Sequence, residues 1–175
     1  VSDILDLLDV PALRARFGQD KIYLMGRSGG TFFGIQVAAR APQRYHAYIA
    51  VAQISNQLES ERLAHRYMLE RYKDESNHKM AKRLEEAPVG DTVPLSDAYL
   101  RVRDVAMHEL GVGTTRDMKS VFSFFFNDTA TTEIYTLGEK IALWRGKLFS
   151  GSRLWNTQLS TDLTQKVKRL DIPVY

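Results

Sequence analysis

The sequence predicts an α/β fold, a strand–helix–strand unit carrying a large helical insertion, on three observations. The first is Gly26-Arg27-Ser28-Gly29-Gly30, which matches G-x-S-x-G. It stands between a β-prone run, Lys21 to Met25, and a helix-forming run from Thr31 to Ala41 that stops at Pro42. The second is Tyr48-Ile49-Ala50-Val51-Ala52, a second β-prone run. Strand, helix and strand over this length make a parallel unit with a right-handed crossover. The third is a change of character after residue 55, where charge becomes dense and the apolar spacing becomes helical.

Taken in order, Leu5, Leu8, Leu13 and Phe17 have helical spacing. Pro11 kinks or splits that helix, Asp9 caps its second part and Gly18 ends it. Asp20 leads into strand one at residues 21–25. The next helix bears Gly30, Gly34 and Ala38 at intervals of four, a bare face that lets it lie close on a sheet, with Phe33 and Val37 on its flanks. Residues 48–52 form strand two. A helix over 57–74 points Ala64, Met68 and Tyr72 inward, and residues 76–86 make a charged, exposed helix. Pro88, Gly90 and Pro94 mark a loop. Ser96 caps a helix with Ala98, Val102, Val105 and Ala106 facing inward, closed by Gly111 and Gly113. Ile141, Trp144 and Leu148 belong to another helix, and Leu159, Leu163, Val167 and Leu170 to a last one. Asp171 to Tyr175 opens a buried strand. The expected domains are a partial core at 1–55, a helical cap at 56–165 and a return to the core at 166–175. The start at Val1 and the stop within a strand read as those of an interior piece.

A sharp turn from strand to helix lifts one side chain, here Ser28, out at the top of a sheet. A Cβ at Gly26 or Gly30 is expected to collide with neighbouring backbone. The helix that follows presents free N–H groups to developing negative charge, and the Gly29 N–H is the candidate first oxyanion donor. The same residues also suit a glycine-rich βα turn with a surface serine. They lack the Lys-Ser/Thr ending of a P-loop and the spacing of a dinucleotide fingerprint.

A composition of 44% hydrophobic and 26% charged residues places the chain among ordinary globular proteins. A net charge of +3, evenly spread, argues against a nucleic-acid partner. Without cysteine there is no disulfide framework or catalytic thiol. No apolar run is long enough to span a bilayer. No signal peptide opens the chain, so the Asn127-Asp128-Thr129 sequon carries little weight and a cytoplasmic location is expected. No His/Asp/Glu group has metal-ligand spacing, and no metal is expected.

Asn127 to Leu137, NDTATTEIYTL, resembles a translated sequencing-library adaptor, and Phe124-Phe125-Phe126 fits the same origin. On that reading residues 124–137 replace native cap sequence, with poor packing and no catalytic contact there. An uninterrupted native read containing these codons removes the idea.

The stretch from Lys21 to Gln53, KIYLMGRSGGTFFGIQVAARAPQRYHAYIAVAQ, resembles the elbow region of α/β-hydrolases. Within them it is similar to cap-bearing serine hydrolases related to proline iminopeptidases. The helical middle and Asp171 to Tyr175 fit as cap and return strand. The resemblance implies a partial α/β-hydrolase fold, a Ser-Asp-His triad in that chain order, no cofactor, and a small-molecule or short-peptide substrate. It implies Ser28 as nucleophile and Gly29 as an oxyanion N–H. The acid and the histidine are then expected beyond Tyr175 and the second oxyanion donor before Val1, so the isolated chain is expected to turn over negligibly. Arg27 departs from the family, where His, Gly or another small or polar residue is usual, and bears on substrate preference. His46 is expected on the far, amino-terminal side of the sheet. His65, His78 and His108 fall in the cap helices, with Asp74, Asp91, Asp97 and Asp104 as solvated residues there. Trp144, Trp155, Tyr67 and Tyr99 serve either as pocket walls or as core. Two other functions fit the sequence: a non-catalytic α/β-hydrolase relative that binds, and a broken reading frame.

Overall fold

The computed structural model describes residues 10–113 and 136–175. The chain divides into two compact units, Val1–Gln57 with Thr161–Tyr175, and Leu58–Ser160.

In the first unit α1 spans Val10–Phe17, with Pro11 in its first turn, where a missing N–H costs no helical bond. The chain leaves it through Gly18 at φ 59. Of the four apolar positions expected to define this helix, Leu5 and Leu8 lie outside the described residues, and Phe17 is exposed. Strand β1 is Ile22–Arg27, helix α2 is Gly29–Arg40, and a 3-10 turn at Pro42–Arg44 leads into β2, Tyr45–Val51. The strands are parallel, with Tyr23 opposite Ala47 and Arg27 opposite Val51 after an irregularity at Ile22/Tyr23.

The segment expected to open a buried strand after residue 170 pairs on the other side of β2, but only as an isolated bridge, and it is mostly exposed, with Val174 and Tyr175 open to solvent. Tyr48 bridges in parallel to Val174. The Tyr48 N–H donates to the Pro173 carbonyl (2.9 Å), Tyr175 to Tyr48 (3.0 Å) and Ala50 to Tyr175 (2.7 Å). The fold is therefore mixed α/β with a parallel sheet.

Val37 of helix α2 and Ala41, the residue that follows the helix, pack with Tyr45, Ile22, Leu24 and Ile172. Its bare face is shorter than the spacing suggests. A Cβ on Gly34 would come within 2.8 Å of the Tyr48 ring, and Ala38 is fully buried. Gly30, one turn earlier, meets nothing within 4 Å and is exposed, so the close approach begins at Gly34.

The second unit is helical. Helix α3 runs Gln57–Asp74, α4 His78–Glu85, α5 Asp97–Leu110 and α6 Leu137–Leu159. Asn77 caps α4 by accepting the Met80 N–H, and Ser96 caps α5 by accepting the Tyr99 N–H, each at 3.2 Å. Gly111, at φ 66, closes α5 in the left-handed conformation that favours glycine. Thr136 and Glu139 form a capping box at the start of α6. Of the adaptor-like stretch only Thr136 and Leu137 are described; the expectation of poor packing over 124–135 lies outside the described residues.

Met68, Tyr72, Met80, Ala81, Leu84, Tyr99, Val102, Ala106 and Leu159 form one core. Helix α4 is thus not merely a solvated helix, because Met80, Ala81 and Leu84 sit on one side of it at i, i+1 and i+4. Ala98 and Val105 are exposed, which narrows the inward face of α5 to Tyr99, Val102 and Ala106. The last expected helix is broken. Helix α6 ends at Leu159, and a separate turn α7, Leu163–Lys166, starts under an Asp162 cap in the first unit. The four leucine and valine positions straddle that break.

The second unit also buries a charge. Glu61 is only 2% exposed. It accepts hydrogen bonds from Arg103 Nε (2.5 Å) and Nη2 (2.6 Å) and from Tyr99 Oη (2.8 Å). Paired and bonded in this way, the carboxylate satisfies the condition for burying an ion. Burial, and then the Glu61 charge, hold the Tyr99 phenol above its usual range.

Candidate active site

Ser28 stands where β1 ends and α2 begins, exposed, with φ 49 and ψ −124. An L-residue rarely takes this backbone, and holding one there costs about 1–3 kcal/mol. The surroundings fix it. The Ser28 N–H extends the ladder to β2 by donating to the Val51 carbonyl at 2.9 Å. The Ser28 carbonyl accepts both the Thr31 N–H (2.8 Å) and the Thr31 hydroxyl (2.5 Å). The Ser28 side chain makes no capping bond to the helix. Gly29 is the first helical residue, so its N–H has no acceptor within α2.

Gly26 is required by contact. A Cβ there would lie 2.9 Å from the Thr31 Cα, 3.0 Å from Tyr48 Oη and 3.1 Å from the Gly30 carbonyl oxygen. The matching expectation for Gly30 is overturned: its Cβ direction points into open space.

The residues that build this turn from below carried no sequence motif. Thr31 is fully buried. Besides donating to Ser28, its Oγ1 accepts the Ile54 N–H at 2.9 Å, and the Ala52 carbonyl lies 3.5 Å away. Tyr48, also fully buried, places its Oη 2.9 Å from Gln53 Oε1 and 3.2 Å from the Thr31 carbonyl. Gln53 Nε2 donates to the Ile54 carbonyl at 2.6 Å. Burial raises the Tyr48 phenol above its usual range, which keeps it a donor. Ala52 has a positive φ of 56, so each strand is followed directly by a non-glycine residue at positive φ, and this network ties the two together. The one local signal was a threonine three residues after the serine.

His46 is exposed near the start of β2, its ring centroid 5.3 Å from that of Tyr23, at the strand ends opposite Ser28. His65, His78 and His108 lie in the helical unit. His65 has a ring nitrogen 2.9 Å from the Leu84 carbonyl, and His108 one 2.6 Å from the Asp104 carbonyl. Asp74, Asp91, Asp97 and Asp104 are exposed. Tyr99 is core, Trp155 packs against it, Trp144 is half-buried and Tyr67 is exposed. Arg27 is exposed. Among the described residues, then, Ser28 and Gly29 come together with Thr31, Tyr48 and Gln53, and no histidine or carboxylate hydrogen-bonds the Ser28 hydroxyl. Among the described residues no three His, Asp or Glu side chains gather as a metal site, and no helix is long and apolar enough to cross a membrane.

Comparison with protein-family models, curated proteins and solved structures gave no match. The chain is a mixed α/β protein with a serine at a strained strand-to-helix turn.

Proposed function

We propose that Ser28 is the nucleophile of an α/β-hydrolase-type serine hydrolase acting on ester or amide bonds. The observation that carries this reading is the Ser28 backbone, φ 49 and ψ −124, on an exposed serine between a parallel strand and a helix. Strain of this kind marks sites where a group must be held in one place. In the reaction Ser28 Oγ attacks the carbonyl carbon while a histidine takes its proton, and a carboxylate orients that histidine. The Gly29 N–H and a second N–H hold the tetrahedral oxyanion; one such donor is worth about 3 kcal/mol. The proton then passes to the leaving group, and water releases the acyl group from Ser28 by the same steps. A histidine, a carboxylate and a second donor are required besides the residues described at Ser28. The helical unit corresponds in chain order to the cap, and the substrate is a small molecule or short peptide.

The test is hydrolysis of chromogenic acyl esters and aminoacyl anilides by the complete gene product. Turnover is expected to fall at least about a thousandfold in Ser28→Ala, as when a triad member is lost. Activity that survives Ser28→Ala unchanged contradicts the assignment. The isolated 175-residue chain is expected to show negligible turnover, since an alcohol without a positioned base is a weak nucleophile.

A further inference from the structure

The geometry points to Thr31 as the residue that positions Ser28: its buried hydroxyl clamps the serine's strained backbone to the segment leaving β2. The chemistry of this role rests on the reading of Ser28 as a nucleophile; the clamp itself does not.

The hydroxyl has one proton to give and lone pairs to receive. It gives the proton to the Ser28 carbonyl at 2.5 Å and receives the Ile54 N–H at 2.9 Å. These two bonds join stretches 26 residues apart, each containing a non-glycine residue at positive φ, Ser28 and Ala52. The Ser28 N–H to the Val51 carbonyl closes the same ring from the other side. The Thr31 carbonyl is engaged in turn by Tyr48 Oη at 3.2 Å and Gln53 Nε2 at 3.4 Å. The threonine is thus tied into the network at its carbonyl as well as at its hydroxyl. Ser28 is exposed at φ 49, and the Thr31 hydroxyl opposes relaxation of the turn together with the Ser28 N–H bond to Val51 and the Thr31 N–H bond to Ser28. A relaxed turn would change where the Ser28 side chain is held.

The experiment compares wild type, Thr31→Val and Thr31→Ser by residue-resolved amide hydrogen exchange on the 175-residue chain. Valine keeps the shape and removes the hydroxyl; serine keeps the hydroxyl and removes the methyl. In Thr31→Val the Ile54 amide is expected to exchange about tenfold faster, the loss of one hydrogen bond, while the Ala38 amide within α2 keeps its rate. In Thr31→Ser both rates stay near wild type. An Ile54 amide as slow in Thr31→Val as in wild type overturns the clamp. If Thr31→Val opens everywhere, Ala38 included, Thr31→Ser decides: retained Ile54 protection supports the hydroxyl's role, and lost protection overturns it. Fluorophosphonate labelling of the complete gene product separates the two claims. Slower labelling in Thr31→Val that Thr31→Ser restores ties the clamp to the nucleophile. A folded wild type that never labels at Ser28 defeats the proposed function while the exchange result stands.

Discussion

At Gly26 and Gly30 two glycines of one motif face opposite tests. A methyl at Gly26 comes 2.9 Å from the Thr31 Cα, which is backbone and cannot swing aside. Gly26→Ala is therefore expected to cost about 1–3 kcal/mol in urea denaturation, the range for overpacking a tight site. A methyl at Gly30 meets open space in helical backbone. Gly30→Ala is expected to raise stability by about 0.4–1 kcal/mol, because the unfolded chain loses freedom. Equal losses at the two positions would contradict this contact geometry. Ser28 and its turn were legible because strand, glycine, serine and helix each have local signatures. Thr31, Tyr48 and Gln53 were not, because their roles depend on bonds across 17 to 23 residues, which no local spacing encodes.

At the scale of elements, the helices of the second unit are joined by one buried ion pair as well as by apolar packing. Glu61 on α3 holds Arg103 and Tyr99 on α5. Glu61→Ala leaves the Arg103 guanidinium largely buried without its bidentate partner, and a loss of about 3–5 kcal/mol is expected in thermal or denaturant unfolding. Tyr99→Phe removes one bond to a charged group and is expected to cost about 1.5–3 kcal/mol. No loss in Glu61→Ala would contradict the bridging role. Helix existence was well read from apolar spacing: residues 57–74 form one helix and Ser96 and Gly111 cap another as expected. Faces were read less well. The charge of Lys79, Lys82, Arg83 and Glu85 in α4 hid Met80, Ala81 and Leu84, and the spacing from Leu159 to Leu170 hid a break at which Asp162 caps a new turn. Helical periodicity continues across a break whenever the apolar residues on either side both face inward, and here Leu159 and Leu163 are both buried.

For the whole molecule, the tyrosines give a readout of both units. Burial raises the phenols of Tyr45 and Tyr48 in the first unit, and of Tyr72 and Tyr99 in the second, with Glu109 adding to the shift at Tyr72. In the unfolded chain a phenol ionises near pH 10. The folded state therefore keeps these protons where the unfolded state has released them. Their contribution to stability is full below about pH 10 and is lost as pH rises through the folded-state values. Ultraviolet titration of the native protein is expected to lag that of the denatured protein, with unfolding free energy falling above about pH 10. Coincident titration curves would contradict the burial of these rings.

The central claim is that the Ser28 hydroxyl, held out by the strained turn, is the attacking atom. The most direct measurement is reaction of the folded, complete gene product with a fluorophosphonate, followed by mass-spectrometric location of the adduct. A single stoichiometric adduct on Ser28, absent from Ser28→Ala, is expected. A folded protein that stays unlabelled, or carries its adduct on another serine, would contradict it.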